Sequence, residues 1–157
     1  MMKIALTGHT TARLRGKEAE VNDWLDNVLT ALLIQSQEDE EVEFLCGGAD
    51  GADFLFGESA NWFPHVKLKL CLPIPSYRGK ALKDLKRRAN SFYYAAEEWG
   101  PGLNSKRDKY MVDNCDVLLA VWDGIKQGGT WQTIQYAQKK KKKIIFIDKE
   151  IFMDKRE

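Results

Sequence analysis

Short unbroken apolar runs alternate along this chain with longer stretches in which apolar residues recur at three- and four-residue steps. The first run, Lys3-Ile4-Ala5-Leu6-Thr7, stops at Gly8. It predicts a strand buried on both faces, because a strand with one wet face would alternate instead. In residues 17–35, Val21, Trp24, Leu25, Val28, Leu29, Leu32 and Leu33 keep the helical period. The acidic run Glu38-Asp39-Glu40-Glu41 reads as a solvated loop. Val42-Glu43-Phe44-Leu45-Cys46 is a second strand, stopped by Gly47-Gly48, and residues 52–61 form a short helix with Phe54, Leu55 and Ala60 inward. Residues 66–72 alternate before turning apolar, which predicts a third strand nearer a sheet edge, closed by Pro73 and Pro75.

Residues 81–90 read as a basic helix and residues 91–95 as a fourth strand, with helix the alternative. Gly100-Pro101-Gly102 is a turn, and residues 104–114 a helix that packs through Tyr110 and Met111. Residues 116–122 give the clearest strand. A loop over 124–129, a helix over 130–140 and a strand over 144–147 complete the pattern. Strands and helices alternate almost strictly, with no long linker and no repeat. The expected fold class is α/β: a single Rossmann-like three-layer domain over residues 1–157, with a mostly parallel sheet.

Composition narrows the function classes. The chain of 157 residues is 44% hydrophobic and 30% charged, normal for a globular protein of one-domain size. A formal net charge of +1 supplies no field toward nucleic acid or membrane, so neither is an expected partner. Lys139-Lys140-Lys141-Lys142-Lys143 sits at a helix C-terminus, where cations oppose the dipole, and reads as a solvated helix end. Cys46, Cys71 and Cys115 are odd in number, widely spaced and beside apolar runs, which favours buried reduced thiols over a disulfide framework or a metal site. No cofactor is called for. The first residues lack the apolar stretch of a signal peptide, and a cytoplasmic location is expected.

Open parallel sheets bind ligands beyond the carboxyl ends of their strands, where the strand order reverses. Three strand ends here carry suitable turns: Thr7-Gly8-His9-Thr10; Gly47-Gly48-Ala49-Asp50-Gly51-Ala52-Asp53; and Trp122-Asp123-Gly124 followed by Gln127-Gly128-Gly129-Thr130. Glycine lets a ligand approach backbone N–H groups, and a helix N-terminus behind it favours phosphate. On this reading Gly48, Gly129 and Thr130 donate to phosphate, Asp123 accepts from a ribose hydroxyl, and Trp122 or Tyr77 stacks on a base. Arg78 in the basic segment 78–88, Arg107 and Lys109 are candidate phosphate partners. Each turn also has a plain alternative: Asp50 and Thr130 as helix caps, Trp122 as core, His9 as loop packing.

Thr7-Gly8-His9, Gly47-Gly48-Ala49-Asp50-Gly51-Ala52-Asp53, the block from Met111-Val112-Asp113 to Trp122-Asp123-Gly124, and Gly128-Gly129-Thr130 together resemble the SLOG superfamily, nearest its YspA/YpsA-like branch. The resemblance runs from about residue 3 to residue 148. It implies a Rossmann-like fold, a nucleotide-derived ligand such as a nucleoside monophosphate or an ADP-ribose-like molecule, and association of copies through helices. It also implies kinship with the LOG phosphoribohydrolases and the DNA-processing protein A family. The LOG enzymes carry Pro-Gly-Gly-x-Gly-Thr-x-x-Glu, whose glutamate serves N-glycosidic cleavage. Here Gln127-Gly128-Gly129-Thr130-Trp131-Gln132-Thr133 lacks one glycine and has Thr133 at the glutamate position. Cleavage needs a carboxylate, and Asp50, Asp53 and Asp123 are the candidates on the expected rim, with Asp50 and Asp123 placed nearest the chemistry. Three functions follow: binding or sensing of a nucleotide-derived molecule, nucleotide N-glycosidase or ribosyl transfer, and single-stranded nucleic-acid binding, which the near-zero charge disfavours.

Overall fold

In the computed structural model, which describes residues 1–36 and 40–153, the apolar runs become six strands of one sheet. In chain order the elements are β1 (Met2–Gly8), α1 (Thr11–Leu14), α2 (Glu18–Ile34), β2 (Val42–Cys46), α3 (Ala52–Ser59), β3 (Val66–Leu72), α4 (Leu82–Arg88), β4 (Ser91–Tyr94), α5 (Leu103–Asn114), β5 (Val117–Val121), α6 (Gly129–Lys139) and β6 (Lys143–Phe146). A 3₁₀ turn, Lys149–Phe152, follows. The strands lie in the order β4-β3-β2-β1-β5-β6, and every neighbouring pair is parallel. Glu38 and Asp39 of the acidic run fall outside the described residues.

Alternate residues of the central strands feed two different cores, which is why those strands read as continuous apolar runs. Ile4, Leu6, Phe44, Leu70, Leu119 and Val121 pack with α2, α3 and α4. Ala5, Leu45, Cys71 and Leu118 pack on the opposite face with Met111 and Val112 of α5 and Ala137 of α6. The fold is therefore an α/β three-layer, Rossmann-like arrangement. Two helices do not cover the second face completely. Cys71 lies under α5, while Lys67 on the same side of β3 is exposed. The alternation in β3 thus reflects incomplete helix cover; β3 lies one strand in from the edge.

Residues 91–95, open between strand and helix in the sequence, contribute the edge strand β4, in register with β3 through Cys71↔Tyr93 and Leu72↔Tyr94. In α3 the fully buried aromatic is Phe56, stacked on Phe44 at 4.7 Å, while Phe54 and Leu55 lie half-buried at the core margin. Phe54 and Leu55 thus face the core at its edge and Ala60 is buried in it, while three successive apolar residues do not reveal that Phe56 takes the central place. The three cysteines are free and buried. Lys142 reaches back from the lysine run to the carbonyls of Asp113 and Cys115 at the end of α5, at 3.3 and 2.9 Å. Among the described residues no helix is long and apolar enough to cross a membrane.

Candidate functional site

After β4 the chain crosses back over the sheet to lay β5 beside β1, so the strand order reverses between those two strands. A cavity of about 320 Å³ opens there, beyond the carboxyl ends of β1 and β2. β1 and its turn supply Thr7, Gly8, His9 and Thr10; the end of β2 supplies Gly47 and Ala49, and α3 supplies Asp53. α5 adds Asn104, Arg107, Asp108 and Met111, and α6 adds Gly129 and Thr130 at its first turn. Nine residues singled out from sequence thus meet at one hollow: Thr7, Gly8, His9, Gly47, Ala49, Asp53, Arg107, Gly129 and Thr130.

Arg107 organises its floor. It is 8% exposed, and its Nη1 donates to the carbonyls of Gly47 at 2.6 Å and Cys71 at 3.2 Å. Its Nε donates to Asp108 Oδ1 at 2.7 Å. One guanidinium therefore ties the ends of β2 and β3 to α5. Asp53 lies beside it, with Oδ2 accepting from the Ala49 N–H at 3.2 Å. Burial pushes the Asp53 carboxyl up to about 7, against the opposing pull of Arg107 and the Ala49 N–H. Burial likewise raises Asp108 despite its bond to Arg107. Asp108 also faces Thr133, whose Oγ1 lies 3.4 Å from Asp108 Oδ2 and 3.0 Å from the Gly129 carbonyl. A carboxyl group from α5 thus stands next to Thr133 in α6.

The other wall is held by Arg13, whose Nε and Nη2 grip both oxygens of Asp123 at 3.0 and 3.1 Å. Its guanidinium also donates to the carbonyls of Gln127 and Ile125, fixing the loop that leads into α6. Partial burial pushes Asp123 up, yet the Arg13 bonds, the Ile125 N–H and the neighbouring charges outweigh it, so its carboxyl sits below the ordinary range. His9 is buried and its Nε2 accepts the Asp123 N–H at 3.1 Å. Burial, then Arg13, lowers His9 against the pull of Asp123. A neutral ring accepting that bond is the consistent reading, and the 3.3 Å approach of Nε2 to Asp123 Oδ1 is then a close contact without a charge on the histidine.

Several expected ligand contacts sit elsewhere. Asp123 is engaged by Arg13 and lies outside the cavity lining. Trp122 stacks on Trp131 at 5.1 Å, and Tyr77 packs against the core on the α2–α4 side. Asp50, Gly48, Gly128 and exposed Arg78 also lie off the lining. Lys109 is exposed, with Nζ 5.5 Å from the Tyr136 ring.

The glycines are also less uniform in purpose than their clustering suggests. A side chain on Gly8 would meet Ala52 Cβ at 2.5 Å, so this glycine lets α3 close on β1. Gly51 has φ +84° and backbone of His9 and Thr11 at 2.6 Å, a turn that excludes any side chain. Gly129 differs: a Cβ there would meet nothing within 4 Å. It starts α6 behind Gly128, which offers no side-chain cap, and the Gln132 N–H donates back to the Gly128 carbonyl at 3.1 Å to open the helical ladder. Gly129 and Thr130 of that first turn line the hollow, at the positive end of the helix.

Arg13, Asn104 and Asp108 complete the site without having been marked by the sequence. Arg13 lies in a four-residue helix with no periodic signal, and its partner is 110 residues away. Asp108 had one clue, its place beside Arg107. The chain matches no protein-family model and no curated protein sequence.

Proposed function

We propose that the hollow between β1 and β5 binds the phosphate of a nucleotide-derived small molecule, and that the protein senses or sequesters that molecule. The observation that carries this reading is the convergence, at the point of strand reversal, of an uncapped eleven-residue helix start with an unobstructed Gly129 and a buried arginine. Backbone N–H groups at a helix start favour anions. The side of Gly129 that faces open space is where an anion could approach them. The nucleotide part of the proposal rests on the resemblance to the SLOG superfamily.

Gly129→Val tests it. The substitution adds bulk where the protein has none of its own, so folding stability should stay within about 1 kcal/mol. In thermal-shift titrations with nucleoside monophosphates and ADP-ribose, the native chain should show a saturable rise in Tm, and the variant should need at least about tenfold more ligand. No rise with any of these compounds would sink the reading.

A specific observation supports a second function, hydrolysis of an N-glycosidic bond. Asp53, with a carboxyl raised to about 7, and Asp108 both line the hollow. A protonated Asp53 could give its proton to the departing base as the anomeric C–N bond breaks, while Asp108 steadies the positive anomeric carbon; water then bonds to that carbon and returns a proton to Asp53. Free base released from a nucleoside monophosphate, and lost in Asp53→Asn, would establish this activity. Intact nucleotide after prolonged incubation would leave binding alone.

A further inference from the structure

Each margin of the sheet is a four-residue strand, but the two are guarded differently. β6 opens with Lys143, directly behind the lysines at 139–142. Lysine along an edge discourages a further strand from docking there. β4 is Ser91-Phe92-Tyr93-Tyr94 and carries neither lysine nor proline. Among the described residues only β3 pairs with it. Alternate backbone N–H and C=O groups of such an edge point away from its one neighbour, toward any strand laid beside it.

The side chains add an apolar patch. Phe92 and Tyr94 stand two residues apart and so share a face of the sheet. They are 41% and 37% exposed, and their rings stack on each other at 6.0 Å. Tyr93, on the opposite face, is already stacked on Tyr110 at 3.6 Å.

Charge then selects the partner. Lys86 and Arg87, exposed in the last turn of α4, precede the strand, and exposed Glu97 and Glu98 follow it. Among the described residues none of these four charges forms an ion pair. Parallel pairing of two copies would set like charge against like. Antiparallel pairing about a two-fold axis brings the start of one β4 to the end of the other, so each basic flank meets an acidic one, twice over. That axis stands perpendicular to the sheet, and the Phe92–Tyr94 pairs of both copies then lie side by side on one face.

We infer that β4 is a self-association edge, at which two copies of this chain pair antiparallel and join their six-stranded sheets into one. The contact is short, so the pairing is reversible, with a Kd of about 10 µM.

Sedimentation velocity at concentrations from about tenfold below to about tenfold above that Kd tests it. The mass should climb from one chain to two and stop there. Phe92→Lys puts a cation on the edge without touching the core and should weaken pairing at least about tenfold. The double variants Lys86→Glu/Arg87→Glu and Glu97→Lys/Glu98→Lys should each stay single, because both flanks then carry one sign. Mixed one to one, they should pair with each other, since every mixed contact again sets acid against base. Chains that stay single at every concentration would overturn the inference, as would a mass that keeps rising past two. So would a pair indifferent to all these variants, as a helix-to-helix interface would be, or a mixture that fails to pair.

Discussion

Replacing Arg107 with methionine is expected to cost the fold about 3 kcal/mol, within the range seen when one partner of a buried ion cluster is removed. The side chain is 8% exposed and saturates the carbonyls of Gly47 and Cys71 as well as Asp108 Oδ1. Methionine fills comparable space but donates nothing, so two carbonyls lose a buried donor and two carboxyls lose their nearest cation. Protonation of Asp53 softens the loss, because a neutral acid needs no counter-charge. Urea unfolding should show a lower midpoint with an unchanged slope. Arg107→Lys should recover only part of the loss, since an ammonium does not reproduce the planar fork that serves four acceptors, Asn104 Oδ1 among them. A loss below about 1 kcal/mol for methionine would mean that the guanidinium does not hold the strand ends to α5.

The second large effect is a pH dependence of stability carried by Asp53. Its folded carboxyl titrates at about 7, against an ordinary value of 3.8. Between those two values the folded chain keeps a proton that the unfolded chain has lost. The unfolded state binds fewer protons there, so this group makes stability fall as pH rises from about 4 to about 7, and adds no slope above that. Each pH unit between the two titrations is worth about 1.4 kcal/mol, so the fall amounts to a few kcal/mol. Asp108, also raised by burial, tilts the profile the same way. His9, lowered by burial, tilts it oppositely, because the unfolded ring takes up a proton that the folded one refuses. The informative quantity is therefore the native profile minus that of Asp53→Asn, which removes one titration and little volume. Chemical denaturation at intervals from pH 4.5 to 8 should give a difference favouring the native chain at the acid end and shrinking toward neutrality. Parallel profiles would mean that Asp53 is ionised throughout.

The elements and the sheet class were legible because their causes are local. A strand covered on both faces must be apolar on both, and that is how β1, β2 and β5 read. The rim of turns was legible for a topological reason: a parallel sheet sends every strand's carboxyl end to one side, so Gly8, Gly47 and Gly129 had to share it. What the sequence concealed was partnership across distance. Nothing near Asp123 announces that Arg13, 110 residues earlier, will grip both its oxygens. Nothing near Trp122 announces that Trp131 will cover it. Both residues read as ligand contacts because polar and aromatic groups at strand ends serve ligands and the protein's own loops with the same chemistry. The glycines mislead in the same manner, since Gly8 and Gly51 answer to Ala52 and to the His9–Thr11 backbone.

The most direct test of a phosphate site at the strand reversal follows the backbone amides of the first turn of α6 by nitrogen-15 NMR while a nucleoside monophosphate is added. Gly129 and Thr130 should shift the furthest, together with Gly8 and His9 across the hollow, all along one saturation curve. Amides that stay still at α6 while others move, or a spectrum that does not change at all, would contradict a phosphate seated between β1 and β5.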